Sequence, residues 1–221
     1  MFQGFSEQTT QFLWGIRLNN ERSWFEAHKE EYITWVQDPM RALTQEVYQR
    51  FTKAHSDLFL ISKVSRIYRD ARRLYGRGPY KSHLWFSLRF PGEEGKELPV
   101  FWFEIYPEGW AYGLGMYPPR PSAMAKFRSA LDRDPERFLP LAKRFEAQDR
   151  FRQEAENYKR KKGVVPPPLE AWYHRKTVDL TCIPSEGGRM YQPELIQELL
   201  DGFEWLLPYY QYFMSVFRRA E

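Results

Sequence analysis

Apolar residues recur every three or four positions along the first 55 residues, a spacing typical of amphipathic helices. Phe12, Leu13 and Ile16 form one such face, and Ser6 precedes it in a position suited to an N-terminal cap. Predicted helices cover residues 6–18, 21–37 and 39–55. The pattern therefore predicts a helical region over residues 6–55.

From residue 61 the pattern changes to short runs rich in β-branched and aromatic residues, bounded by Gly, Pro and acidic residues. In "FEIYPEGWAYGL", the turn residues Pro107, Glu108 and Gly109 predict a hairpin. A longer connection, "FPGEEGKELP", precedes it. Predicted strands cover residues 61–70, 84–90, 99–106, 110–116 and 176–183.

Helical spacing returns over residues 121–162 and again over 193–219, where Pro208 predicts a kink or break. The segment "VVPPPLEAW" between them is predicted to be a Pro-rich connector. Helices followed by strands and then by helices favour the α+β class over alternating βαβ units. The sequence predicts one α+β domain over 1–221. Its antiparallel sheet of about five strands (61–117 and 176–183) is packed by N-terminal, middle and C-terminal helices.

Composition limits the function classes. The 221 residues include 18% aromatic residues, which indicates a substantial packed core, and the net charge of +4 is only mildly basic. The single cysteine, Cys182, excludes an internal disulfide and any Cys-rich metal site, and we expect it to be a buried strand residue. No cofactor is predicted, and no residue is assigned to catalysis or to a metal.

No apolar run approaches the ~20 residues of a membrane helix, and residues 1–6 do not resemble a signal peptide. We therefore expect a cytoplasmic protein without a membrane partner. Its oligomeric state is left open.

The segment 61–90 concentrates positive charge around the loop "RLYGRGPYK". Its only acid is Asp70, against eight cations: Lys63, Arg66, Arg69, Arg72, Arg73, Arg77, Lys81 and Arg89. Positive charges without counter-ions repel one another. The planar guanidinium group of arginine binds carboxylate and phosphate groups through two parallel hydrogen bonds. Alternation along a straight strand would place Arg66 and Arg69 on opposite faces, unless a bulge intervenes.

Several motifs together resemble the DUF2461 family. They are Phe2, Gly4 and Phe5; Asn19, Asn20, Trp24 and Phe25; Arg66 to Asp70; Pro79 to Lys81; and Gly113 to Gly115. The resemblance covers nearly the whole chain and implies one continuous α+β domain, but it implies no activity. Where the family pattern carries an acid before Pro-Tyr-Lys, this chain has "RLYGRG", so its loop is more basic.

Binding of a small anionic or phosphorylated ligand is the first functional hypothesis. Its candidate residues are Arg66, Arg69, Arg77, Tyr80, Lys81, His83, Gly113, Gly115 and Tyr117. The alternative for the arginines is pairing with acids of the helices, and for Gly113 and Gly115 it is close packing.

Two other hypotheses stay open, and whether the protein is an enzyme is left undecided. An enzyme acting on such a ligand would use His83 or Asp70 as the proton carrier. A nucleic-acid-binding protein would use the same loop together with the basic residues 159–162. A buried carboxylate or histidine facing the arginines would favour the enzyme over a binding module.

Overall fold

The computed structural model of the protein describes residues 1–93, 95, 97–118, 120–185 and 187–218. Parts of three predicted features lie outside the described residues. They are Glu94 and Lys96 of the connection 90–99, Pro119 between the predicted strand 110–116 and the predicted helical region 121–162, and residue 219 of the predicted last helix. The side chain of Arg73, one of the eight cations, also lies outside the description.

Helices form the N-terminal, middle and C-terminal regions, as predicted. They are α1 (Glu7–Leu18), α2 (Arg22–Ala27), α3 (Lys29–Tyr32), α4 (Asp38–Ala54), α5 (Pro121–Arg133), α6 (Leu139–Glu146), α7 (Pro167–Tyr173) and α8 (Leu195–Phe217), with a π-helical turn over Ile33–Gln37.

Within the described ranges, six strands form one antiparallel sheet in the order β1-β2-β3-β4-β6-β5. They are β1 (Ile61–Val64), β2 (Leu84–Arg89), β3 (Val100–Tyr106), β4 (Gly109–Gly115), β5 (Arg152–Gln153) and β6 (Asp179–Cys182). β3 and β4 form the predicted hairpin around Pro107 and Glu108. The α+β class is confirmed, with one strand more than the five expected.

The N-terminal helices follow the predicted apolar faces. In α1, Phe12, Leu13 and Ile16 are buried, and the backbone N–H of Ser6 donates to the Thr9 hydroxyl over 3.1 Å. Pro39 occupies the first turn of α4, where its missing N–H costs no hydrogen bond. The predicted helix over 21–37 is instead divided into α2, α3 and the π-helical turn.

The first predicted strand, 61–70, is wrong beyond Val64. Residues 65–83 leave the sheet as a loop, and the isolated antiparallel bridge between Tyr68 and Tyr80 joins its two limbs. Strand alternation therefore does not apply to Arg66 and Arg69, and it gives no reason to place their side chains apart.

The predicted helical region 121–162 is wrong after Glu146. The Gln148 side-chain amide donates to the carbonyl oxygens of Phe145 and Phe151 over 3.0 and 2.8 Å, and its oxygen accepts from the Phe151 N–H. These bonds satisfy the backbone where the helix stops. The chain then forms β5, which pairs with β6 in the register Arg152↔Thr181.

Two predictions about proline-containing segments are also corrected: the predicted connector contains a helix, and the break that was one of two alternatives at Pro208 does not occur. The Pro-rich connector contains α7, because prolines are accepted in the first turn of a helix. α8 continues through Pro208 without a break. Burial explains this tolerance, since Leu206, Tyr209 and Tyr210 beside the proline are at most 1% exposed.

The chain divides into two compact units. Unit 1 comprises Met1–Leu88, Trp102–Tyr112 and Pro184–Asp201, and unit 2 comprises Arg89–Phe101, Gly113–Ile183 and Gly202–Glu221. An aromatic core fills each of them. In unit 1 the ring of Phe103 lies 5.5 Å from that of Phe86, and in unit 2 the ring of Phe138 lies 4.9 Å from that of Trp172.

The N-terminal segment is part of unit 1. Phe2 and Phe5 are buried, and the Phe5 N–H donates to the Met190 carbonyl over 2.9 Å. Gly4 has a φ of +105°, and a Cβ there would overlap the Tyr191 carbonyl. The family motif at the N-terminus is therefore explained by close backbone packing.

Two expectations concern Cys182 and the membrane. Cys182 is buried in β6, as predicted. Within the described part of the chain, none of the helices combines the length and the apolar character that spanning a membrane requires.

Candidate functional site

The two limbs of the basic loop 65–83 run antiparallel. The Arg69 N–H donates to the Pro79 carbonyl over 2.8 Å, and the Lys81 N–H donates to the Ile67 carbonyl over 2.7 Å. At the tip, Gly76 has a φ of +77°, a conformation that glycine adopts without strain. The backbone thus fixes the positions of Arg69 and Lys81 on neighbouring limbs.

Asn20 holds the second limb against the turn between α1 and α2. Its Oδ1 accepts from the Tyr80 N–H and its Nδ2 donates to the Tyr80 carbonyl, each over 2.9 Å. A Cβ at Gly78 would overlap both the side chain and the backbone of Asn20, so this approach requires glycine. The Asn-Asn and Gly-Pro-Tyr-Lys segments therefore meet in space.

Tyr80 and Phe25 continue this contact into the core of unit 1. Their rings stack with centroids 4.3 Å apart, and the Tyr68 ring lies 5.4 Å from that of Tyr80. Tyr80 is only 3% exposed, and burial raises the pKa of its hydroxyl. These contacts give Tyr80 a packing role, and its predicted role as a ligand wall stays a prediction.

The loop leads into a cluster of ionisable side chains on the sheet. The side chains of Lys81, His83 and Glu104 are all half-buried, and His83 Nδ1 lies 3.2 Å from Glu104 Oε1. Glu104 is on the face of β3 opposite the buried Phe103 and Ile105. We call Arg66, Arg69, Lys81, His83 and Glu104 the basic cluster.

Trp85 forms an aromatic surface beside the cluster. The ammonium groups of Lys63 and Lys81 each lie 5.9 Å from the centroid of its ring. Both contacts are within the range of a cation–π interaction. The indole therefore accommodates two positive charges from the same segment.

Burial and positive neighbours shift the ionisation of the cluster. The pKa of Lys81 is lowered by burial and by Arg69 and Arg66. The pKa of His83 falls to about 4 through burial and through Lys81, Arg69 and Arg17. These effects outweigh the nearby Glu104 carboxylate. His83 is therefore neutral at pH 7 and can donate its Nδ1–H to Glu104.

The Glu104 carboxylate offsets the positive charge of these residues only in part. Burial raises its pKa, and Lys81 acts in the opposite direction. Burial and Arg77 lower the pKa of Arg69, and the Arg69 Nε donates to the Tyr80 carbonyl over 2.8 Å. The basic cluster thus combines partial burial with an excess of positive charge.

Asp70, the acid of the basic loop, is engaged with Arg72. Its carboxylate accepts two hydrogen bonds from the Arg72 guanidinium, each 3.0 Å long, and one from the Arg72 backbone N–H. The Asp70 carboxylate is thus held by Arg72 within the same loop.

The predicted site residues fall into two groups. Four of them come together in unit 1: Arg66, Arg69, Lys81 and His83. Arg77 lies close enough to Arg69 to lower its pKa. Gly113, Gly115 and Tyr117 belong to unit 2. A Cβ at Gly113 would overlap the Leu180 carbonyl of the neighbouring strand β6, which favours the packing alternative for this glycine. The ligand-binding roles of all nine residues stay predictions.

Sequence reasoning missed Glu104 and Trp85. The available signal was that Glu104 is the only charged residue in the strand "VFWFEIY", where every other residue is apolar or aromatic. Within the described ranges, no three His, Cys, Asp or Glu side chains are grouped closely enough to hold a metal ion.

Comparison with known proteins supports the resemblance seen in the motifs. A search of curated proteins finds no match to this chain. The sequence model of a family described as "Conserved hypothetical protein (DUF2461)" matches residues 8–212. That range includes the Asn20, Gly78 and Tyr80 contact and the whole basic cluster. The chain therefore belongs to the DUF2461 family.

Proposed function

We propose that the protein binds a small anionic or phosphorylated molecule at the basic cluster. The observation that carries this proposal is the half-buried Lys81 ammonium, whose pKa is lowered by burial and by Arg69, Arg66 and Lys63, while Glu104 acts in the opposite direction. A bound dianion would offset this repulsion at short range, where partial burial weakens screening by water.

The donors of the cluster suit a ligand with several acceptor oxygens. Arg69 uses its Nε for the Tyr80 carbonyl, which fixes the side chain and leaves its terminal nitrogens for a ligand. Lys81 adds an ammonium group. Charge-assisted hydrogen bonds of this kind are shorter and stronger than neutral ones. Phosphate and carboxylate are therefore the groups that the cluster would recognise.

The proposal is tested by thermal unfolding with inorganic phosphate, sugar phosphates, nucleotides and dicarboxylates. A ligand at 100 times its Kd adds roughly 2.7 kcal/mol, which raises the Tm of a domain this size by about 5–10 °C. Arg66→Ala should remove this shift, because its exposed side chain can be truncated without disturbing the fold.

Lys53→Ala on α4 is the matched control, since it removes an exposed charge outside the cluster. The proposal is wrong if no anion raises the Tm, or if both variants respond as the parent does. A response to oligonucleotides alone, with affinity falling steeply as salt rises, would support the nucleic-acid alternative instead. That alternative also uses residues 159–162, which lie in unit 2.

The His83–Glu104 pair favours an enzyme as the second candidate. A carboxylate hydrogen-bonded to one imidazole nitrogen orients the ring and leaves the other nitrogen to exchange a proton with a substrate. A ligand identified by the first experiment would be incubated with the protein and followed for turnover. His83→Gln should abolish turnover and retain binding. Binding without any turnover would exclude this candidate for that ligand.

The proposal keeps the predicted cytoplasmic location. The single cysteine supports it, because a reducing compartment keeps such a thiol unoxidised. Secretion of the natural protein with cleavage of its first residues would contradict this prediction.

A further inference from the structure

Lys81 is held in the basic cluster without an acid partner. Its backbone N–H donates to the Ile67 carbonyl over 2.7 Å, and its half-buried ammonium group lies 5.9 Å from the centroid of the Trp85 ring. Within the part of the chain that the structure describes, this ammonium group forms no hydrogen bond and no salt bridge. Its charge is thus partly removed from water without the acid that usually accompanies a buried lysine.

The surroundings of Lys81 favour its neutral amine over its ammonium form. Lys63 places a second ammonium group 5.9 Å from the centroid of the same Trp85 ring. Burial lowers the pKa of Lys81 most, and the arginines of the basic cluster lower it further. The Glu104 carboxylate acts in the opposite direction but lies against His83. A neutral lysine amine is a nucleophile, whereas the ammonium ion is not.

A proton carrier lies in the same cluster. His83 follows Lys81 by two residues, and Lys81 is the first of the charges that lower its pKa. Because the His83 Nδ1–H donates to Glu104, Nε2 is the basic nitrogen of the neutral ring. An amine nucleophile, arginines suited to an anion and a neutral imidazole are therefore neighbours.

We propose that Lys81 forms an imine with a small aldehyde or ketone that also carries a phosphate or carboxylate group. This inference rests on the proposed anion-binding function, because the arginines of the cluster would hold the anionic group while the carbonyl group meets Lys81. The inferred ligand class is therefore narrower than that of anions in general.

The reaction needs no further reactant. The Lys81 nitrogen attacks the carbonyl carbon, and a proton passes from this nitrogen to the carbonyl oxygen, which becomes a hydroxyl group. The C–O bond then breaks as the C=N bond forms, and the hydroxyl group leaves as water with a second proton from nitrogen. His83 Nε2 is the carrier for these protons. The protonated imine keeps a positive charge beside the bound anion.

The test is trapping with sodium cyanoborohydride, which reduces an imine to a stable secondary amine that peptide mass spectrometry can locate. The probes are glyoxylate and pyridoxal phosphate, which place the carbonyl and anionic groups at different separations. Their uncharged analogues are methyl glyoxylate and pyridoxal. The readout is the ratio of modification at Lys81 to that at exposed Lys53 in the same sample, because this ratio cancels the intrinsic reactivity of each probe.

At least one anionic probe should modify Lys81 selectively. Its Lys81-to-Lys53 ratio should be at least about tenfold higher than that of its uncharged analogue, as expected for a charge-assisted contact. Lys81→Arg keeps the positive charge but removes the nucleophile, so the adduct should disappear. Arg66→Ala should lower the ratio towards that of the uncharged analogue, whereas Arg50→Ala, an exposed arginine of α4, should leave it unchanged.

Thermal unfolding of the parent protein separates this inference from the anion-binding proposal. If an anion raises the Tm but neither probe modifies Lys81 faster than Lys53, the imine is excluded and anion binding stands. The inference is also overturned if charged and uncharged probes give the same ratio, because the anionic group then has no role. If no anion raises the Tm and no adduct forms at Lys81, both proposals are wrong.

Discussion

Asn20→Ala should destabilise the protein strongly, although Asn20 lies outside any helix or strand. The substitution removes both hydrogen bonds to the Tyr80 backbone. The Tyr80 carbonyl still accepts a hydrogen bond from the Arg69 Nε. The Tyr80 N–H, however, is left without an acceptor, and Tyr80 is only 3% exposed. The loss is therefore concentrated on one buried donor.

The magnitude follows from the two bonds. An orphaned buried N–H costs about 1–3 kcal/mol, and the second bond adds about 1 kcal/mol. The expected loss in the free energy of unfolding is therefore about 2–4 kcal/mol, which lowers the Tm by on the order of 4–16 °C for a domain this size.

Urea unfolding measures this loss, with Asn19→Ala as the matched control. Asn19 uses its side-chain amide for one exposed bond to the Gly15 carbonyl over 3.1 Å, so its replacement should cost about 1 kcal/mol or less. Equal losses for the two variants would refute the conclusion that Asn20 fixes the second limb of the loop.

Three further outcomes are expected. The pKa of His83 is about 4 in the folded state against 6.5 in a free side chain, so the unfolded state binds more protons between these values and stability should fall as the pH drops through that window. With His83→Gln, the free energy of unfolding measured in urea should fall less between pH 7 and pH 4. An unchanged pH dependence would contradict the lowered pKa of His83. Gly113→Ala should lower the free energy of unfolding by about 1–3 kcal/mol through overlap with the Leu180 carbonyl, whereas Gly188→Ala, with open space around it, should be nearly neutral. Pro208→Ala should raise the Tm by restoring a backbone donor inside α8, and a lower Tm would mean that the proline ring packs better than alanine.

The helices with a clear apolar face were the predictable part of the fold. α1 and α4 follow their spacing because burial of one face determines them. β5 was missed because its two residues, Arg152 and Gln153, are too few to show alternation. Of the kink or break predicted at Pro208, the break does not occur, because the local cost of the proline was weighed without the burial around it.

The basic cluster was predictable only in part. The sequence pointed to the loop through its charge, and the strand model then placed Arg66 and Arg69 on opposite faces. Whether those side chains converge depends on where β1 ends, and the apolar pattern does not mark that point. Glu104 is separated from His83 by a complete strand, so their contact depends on sheet pairing.

The contact between the N-terminal segment and Met190 has a consequence for folding during synthesis. Unit 1 includes Met1–Leu88 and is completed only by Pro184–Asp201, so a ribosome must release the chain as far as that last segment before this unit can close. Contacts between such distant residues slow folding and leave apolar surface uncovered in the meantime. Phe2 and Phe5 are among the last side chains able to reach their final environment, and nascent chains that stall before residue 190 should depend on chaperones.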